Sequence, residues 1–349
     1  MKIKLAVLEK DTSYLGRITS VFAAKYADKL EIYSFTELSE ALSHLGSERI
    51  DVFIANDYFD IDLSLLPKRC GFAYFVDSSE MGSVKGQLAI GKFQKAELIY
   101  KQVLSIFSEK SDSIMSRSSR DSNTKLIFFT SVSGGTGTSS MAAACALHFA
   151  ERDKKTLYLN FEMFGSSDAF FEAGGSFNMS DIIFALKSRK SNLALKLESC
   201  VKHDPRGVYF YSAPKLALDM MELTTEEIEG LLEELKATGD YDFIVVDGEF
   251  YVDSDWLKIY RSAYSMVWVS DGSRIAEGKI SAALSALSVK EQNTDSPISD
   301  RIVHICNNSA GGTQDSSVKY IGYAPHYDRA KPDKIISELS KLDFMDRII

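Results

Sequence analysis

Residues Ser131 to Ser140 read SVSGGTGTSS, between an apolar run, Leu126 to Phe129, and a segment of small helix-forming residues, Met141 to Ala150. The order is strand, glycine loop, helix. A loop of this kind sets several backbone N–H groups at the positive end of a helix, where they can wrap a string of phosphates. Glycine suits it because loop φ values can be positive and because Cβ atoms would keep a phosphate from the backbone. The loop therefore predicts a nucleotide site at the carboxyl end of a parallel sheet. The usual phosphate loop carries a lysine directly before its final Ser/Thr pair; here that position is Thr138.

The spacing G-G-x-G-x-S-S resembles the deviant Walker A loop of the ParA/MinD group of ATPases, whose pattern is KGGxGK[ST][ST]. Ser133 stands where that group has its signature lysine and Thr138 where it has the phosphate-loop lysine. The resemblance implies that Gly134, Gly135, Thr136, Gly137, Thr138, Ser139 and Ser140 cradle ATP. Farther on, Tyr241 to Asp247 reads YDFIVVD, four successive apolar residues ending in an acid. Such a strand is buried on both faces, and its carboxyl end is where open α/β sheets bind ligands. Asp247 is then the Walker B acid, which holds Mg²⁺ together with the loop hydroxyl Ser139. The stretch KTLYLNF, Lys155 to Phe161, is a further strand; it leads to Asn160 and Glu162 where the group usually has D-x-D. Glu162 keeps a carboxylate that can orient water or Mg²⁺, and Asn160 offers a neutral oxygen. Glu162 and Asp247 are the candidate catalytic pair.

Further strands are expected at Val208–Ser212, Tyr264–Ser270 and Arg301–Cys306, with a last one leading to Pro325. Asn307 and Pro325 resemble the group's adenine clamp, an asparagine after one strand and a proline loop closing over the base. Thr224 with Glu227 makes a capping box for a helix that Gly239 ends. The last segment, Pro332 to Ile349, reads as one helix. Its acids Asp333, Glu338, Asp343 and Asp346 balance its basic residues, so packing on the domain is expected rather than membrane attachment. Arg274, just after the Ser270 strand end, is a candidate replacement for the missing positive charge.

The first hundred residues alternate short apolar strands with helical patterns. Strands are expected at Lys4–Leu8, Leu30–Phe35, Asp51–Ala55, Gly71–Val76 and Gln87–Gly91, and helices at Ser13–Lys25, Phe35–Leu45 and Lys95–Phe107. Regular alternation implies a parallel doubly wound sheet. The order resembles a response-regulator receiver domain. At the receiver's acidic pair stand Glu9 and Lys10, at its phosphoacceptor Asn56, and at its final lysine Lys92. An amide cannot accept a phosphoryl group, and a lysine in the acidic pair opposes Mg²⁺. A receiver-like domain that is not phosphorylated is expected. Between the two domains, residues 109–124 are dominated by serine and hold no aromatic residue, the composition of a tether.

The whole chain bounds these readings. Its 349 residues suit two domains, and 45% hydrophobic with 26% charged residues is the composition of a globular protein. A net charge of −9 argues against a sequence-independent grip on nucleic acid. No apolar run nears membrane-spanning length, and Glu9, Lys10 and Asp11 interrupt any signal-peptide pattern, so a cytoplasmic protein without direct membrane insertion is expected. Four scattered cysteines suggest buried thiols rather than zinc or redox pairs.

The fold class expected is α/β: two three-layer domains, a receiver-like (flavodoxin-like) domain over 1–108, a linker over 109–124 and a deviant-Walker P-loop NTPase domain over 125–349. This order resembles the TadZ/CpaE family, which helps place the secretion machinery of Flp-type pili at a cell pole. The resemblance implies an ATP- and Mg²⁺-binding localisation factor that forms a homodimer and recruits other pilus-assembly proteins. With both lysines missing, weak or absent hydrolysis is expected. The competing reading is an active ParA/MinD-type ATPase in DNA partitioning or division positioning.

Overall fold

The structure of the chain, a computed structural model, describes residues 2–78, 81–111, 123–188, 192–292, 294–308, 316–327 and 330–349. The chain gathers into two compact units, Met1–Ser116 with Phe184–Cys200, and Arg117–Ile183 with Val201–Ile349. The expected second domain runs unbroken from 125 to 349; the structure instead assigns Phe184–Cys200 to the first unit. Most of the serine-rich stretch, 112–122, lies outside the described residues.

In the first unit β1 (Ile3–Leu8), β2 (Leu30–Phe35), β3 (Val52–Asn56), β4 (Gly71–Val76), β5 (Ser83–Val84) and β6 (Gln87–Gly91) form one sheet in the order β2-β1-β3-β4-β6-β5. All pairs are parallel except β5 with β6. That hairpin is absent from the sequence reading because its strands are so short. It turns at Lys85 and Gly86, both with positive φ, as a tight two-residue turn requires. Leu5, Val7, Ile54 and Phe75 pack on one face with helices Thr12–Lys25 and Ala96–Lys110; Ala6, Leu8, Phe53 and Tyr74 pack on the other with helix Leu38–Ser47. Side-chain alternation thus feeds two cores from each strand. Glu9, Asn56, Asp77 and Lys92 all follow or end strands at the carboxyl edge.

The second unit has β7 (Lys125–Thr130), β8 (Thr156–Asn160), β9 (Lys202–His203), β10 (Tyr209–Phe210), β11 (Phe243–Asp247), β12 (Ser265–Ser270), β13 (Ile302–Cys306) and β14 (Tyr320–Tyr323), ordered β14-β13-β12-β7-β11-β8-β10-β9. Only β9 pairs antiparallel. Helix Thr138–Ala150 lies under the sheet with Met141 through Phe149 all buried. Its alanines allow the close approach. The capping box at Thr224 and Glu227 and the left-handed cap at Gly239 stand where the sequence puts them. All four cysteines are buried free thiols.

The C-terminal segment differs from the single helix expected. It is a helix, Pro332–Leu339, then a separate 3-10 turn, Asp343–Ile348. The break has a partner: buried His148 places its ring nitrogens 2.7 Å from the Ser340 carbonyl and 2.8 Å from Asp346 Oδ1. Breaking there lets Ile336, Leu339, Phe344, Met345 and Ile348 all enter the core of the second unit. Packing on the domain is what the charge balance led us to expect. Among the described residues no helix is long and apolar enough to cross a membrane.

Candidate functional site

The glycine loop is fixed at its start by Ser131. Its hydroxyl donates to the Val269 carbonyl at 2.7 Å and accepts from the Ser133 amide at 3.0 Å, tying β7 to β12. Gly135 and Gly137 have φ of 75° and 79°, the left-handed region that glycine enters without strain. The first helical bond runs from Met141 N to Gly137 O, so the amides of Thr138, Ser139 and Ser140 lack helical partners and carry the positive end of the dipole. Gly134 and Gly135 are exposed.

The residues standing for the two lysines supply no charge. The Thr138 hydroxyl lies 3.0 Å from the hydroxyl of buried Thr136. Ser133 Oγ is buried with no hydrogen-bond partner among the described residues. Arg274 begins helix Arg274–Lys290 with an exposed side chain.

Around Ser139 the sheet brings four side chains together. Ser139 Oγ donates to Glu162 Oε2 at 3.1 Å. Asn160 Nδ2 is 3.1 Å from the same oxygen, 2.8 Å from Asp247 Oδ2 and 3.2 Å from the Tyr158 hydroxyl. Tyr158 donates to Asp247 Oδ2 at 2.7 Å, leaving Asp247 Oδ1 buried and unpartnered among the described residues. Burial first and the Glu162 charge second push the Asp247 carboxyl up to about 7, while the bonds from Tyr158 and Asn160 and the nearby Ser139 hydroxyl pull the other way. The Tyr158 phenol is itself raised well above its ordinary value, chiefly by burial, so it stays a donor. Asn160 is the hub: an aspartate there would set a third carboxylate beside two others, whereas the amide joins them.

Sequence reading places Glu162, Ser139 and Asp247 in this group, and the structure assembles them. It missed Tyr158, since a tyrosine inside an apolar strand reads as core. The period-2 alternation of β8 does place Tyr158 and Asn160 on one face, and that was the available signal. Gly165 is also part of the site. A Cβ there would lie 2.1 Å from Asn160 Oδ1, so Gly165→Ala must displace the hub, with overpacking of this sort costing about 1–3 kcal/mol. A thermal unfolding midpoint equal to wild type would contradict that placement.

Asn307 has a contact the sequence did not suggest. It directly follows β13, with its amide nitrogen donating to the Thr136 carbonyl at 2.8 Å, and a Cβ on Gly137 would lie 2.3 Å from that nitrogen. In this structure Asn307 braces the loop from behind. Pro325 is exposed just beyond β14, the strand beside β13.

The donors suit magnesium: one hydroxyl and two carboxylates, all hard oxygens. The unpartnered Asp247 Oδ1 is the atom a cation would satisfy. Among the described residues no group of three or more His, Cys, Asp or Glu side chains could hold a metal alone. A two-carboxylate site fits Mg²⁺, which usually keeps several waters and shares phosphate oxygens.

The first unit has a corresponding cluster at its carboxyl edge. Lys92 Nζ lies 3.0 Å from Glu9 Oε2 and 3.1 Å from Asp77 Oδ1. Asn56 Nδ2 donates to Glu9 Oε2 at 2.8 Å, and the Asp11 amide to Glu9 Oε1 at 3.0 Å. Burial works against the Lys92 charge, but Glu9 and Asp77 outweigh it and hold the ammonium above its ordinary value. Lys10 points elsewhere, its ammonium 5.3 Å from the Phe59 ring centre. The cation in this pocket is Lys92, and Lys10, which the sequence reading set against Mg²⁺, lies outside it.

Residues 1–108 match the family model described as TadZ-like, receiver domain. No curated protein matches the chain. Among solved structures, a ParA family ATPase from Chlorobium tepidum TLS is 21% identical over 65% of this chain and 97% of that one, with a TM-score of 0.51. The septum site-determining protein MinD complexed with Mg-ADP from Pyrococcus horikoshii OT3 is 15% identical over 62% and 94%, TM-score 0.46. A putative plasmid partition protein from Borrelia burgdorferi B31 bound to AMPPNP is 17% identical over 64% and 99%, TM-score 0.46. The fold class expected from the sequence, α/β in two domains, is borne out: a receiver-like domain is followed by a second α/β unit with a fold like that of the ParA family ATPase.

Proposed function

We propose that this chain, a TadZ-like receiver joined to a ParA/MinD-like NTPase fold, is a nucleotide-holding localisation factor for Flp-type pilus assembly. It binds ATP with Mg²⁺ and hydrolyses it slowly or not at all. It acts as a homodimer that recruits other pilus-assembly proteins to a cell pole from the cytoplasm. One observation carries the reading: a glycine loop with open amides beside an intact Ser139–Glu162–Asp247 group, but with Ser133 and Thr138 in place of both lysines.

In this reading the amides of residues 134–140 and the helix dipole take the phosphates. Ser139 and Asp247 would hold Mg²⁺, which when bound neutralises phosphate charge. Asn160 keeps Glu162 turned toward Ser139 and keeps Asp247 aligned. The gap is at the transition state. Loss of one preorganised charge-stabilising group typically costs ~10²–10³ in rate, and here two are absent. Asn307 and Pro325 are proposed to border the base.

The test is to titrate the purified protein with Mg·ATP, strip free nucleotide, denature the protein and identify what was bound. Intact ATP near one per chain is expected. Recovery of ADP with steady phosphate release would move the active ParA/MinD-type reading to first place, and no measurable affinity would end the nucleotide proposal.

A further inference from the structure

Helix Ala96–Lys110 buries more than an amphipathic surface helix needs. Ile99, Tyr100 and every residue from Val103 to Ser108 are buried, two serines among them. A surface helix ordinarily buries one stripe. The second covering comes from far along the chain, from helix Leu193–Cys200, where Lys196, Leu197, Ser199 and Cys200 are buried and Leu195 packs on the core of the first unit.

The polar contacts show a built surface. Lys196 is buried, with Nζ 2.8 Å from Ser105 Oγ and 3.7 Å from Glu109 Oε1. A buried ammonium is costly without such partners. Glu198 pairs with Lys29 and lies 3.5 Å from the Tyr100 hydroxyl. The Asn192 amide donates to the Ser108 carbonyl at 3.1 Å, and Asn192 Oδ1 caps the helix by accepting from Leu195 N at 3.2 Å. Past the helix, Val201 alone separates Cys200 from β9 of the second unit's sheet.

We propose that helix Leu193–Cys200 is a clasp: the outer face of helix Ala96–Lys110 is a docking surface whose occupant is this segment of the same chain, and an N-terminal piece keeps its hold on that segment when the chain is cut between them. The occupant fits chemically. One lysine meets a hydroxyl and a carboxylate, one glutamate meets a lysine and a phenol, Leu195 meets the apolar core, and Leu197 is buried. The clasp also continues the segment that leaves the nucleotide site through Gly165 and helix Met179–Ser188. A receiver fragment ending before residue 112 would expose that face.

The full-length protein tests this. A site-specific protease sequence is inserted between Ser118 and Ser119, and the chain carries an N-terminal affinity tag. After complete cleavage, nearly all of the C-terminal piece is expected to stay with the tagged piece in native buffer and to leave it in denaturant. The double variant Lys196→Glu, Leu197→Asp is expected to release it. Lys196→Ala, which keeps the apolar contacts, is expected to lower the urea concentration at which the pieces part. Separation of the wild-type pieces overturns the clasp, and so does retention in the double variant with an unchanged urea midpoint in Lys196→Ala.

Discussion

Lys92→Met is expected to cost the first unit about 3–5 kcal/mol, the usual loss when one partner of a buried ion pair is removed. Glu9 is only 2% exposed and Lys92 7%, so water cannot replace the lost ammonium. Asn56 and the Asp11 amide remain on Glu9, but both are neutral donors. Asp77 is 61% exposed, and its bridge contributes little because solvent screens it. Adding Glu9→Gln to Lys92→Met removes the stranded charge and is expected to recover most of the loss. Urea unfolding of the full chain, followed in the first unit, makes the measurement. A single-variant loss under about 1 kcal/mol, the range of an exposed pair, would sink the argument. Because the Lys92 ammonium is held above its ordinary value of 10.5, its contribution is complete below that pH and is lost only above it. The bridge therefore adds no slope near neutrality.

Asp247 behaves in the opposite way, and Asp247→Asn is expected to abolish a pH dependence of the second unit. Its folded carboxyl titrates near 7 against an ordinary 3.8. Between those values the folded chain holds a proton that the unfolded chain releases, so stability falls as pH rises through the window and levels off above it. The full difference is on the order of 4 kcal/mol. Urea midpoints for wild type and Asp247→Asn across about pH 5 to 9 isolate this group, since other titrations cancel in the difference. Parallel curves would contradict the burial argument. Mg·ATP is expected to raise the wild-type midpoint most at the high end of the range, where the carboxylate is free of its proton, and to raise that of Asp247→Asn less.

What was legible in the sequence is local. Glycine spacing, capping boxes and apolar runs depend on residues a few positions apart, so β7 with its loop, the strand ending at Asp247 and the cap at Thr224 stand where they were expected. The C-terminal helix failed because its break is set by His148, nearly two hundred residues earlier. Asn307 was assigned by its place after a strand, and only the folded loop shows the Thr136 carbonyl that takes its amide.

By itself the sequence determined two α/β sheets, the edge at which each would gather polar residues, and the loss of both loop lysines. It could do so because strand periodicity and loop chemistry are written in neighbouring residues. The tertiary structure decided which polar groups meet: Asn160 between two acids, Lys92 on Glu9, and helix Leu193–Cys200 on a unit the chain had already left. Those pairings join residues far apart in sequence, and an apolar face or a buried lysine does not name its partner until packing supplies one.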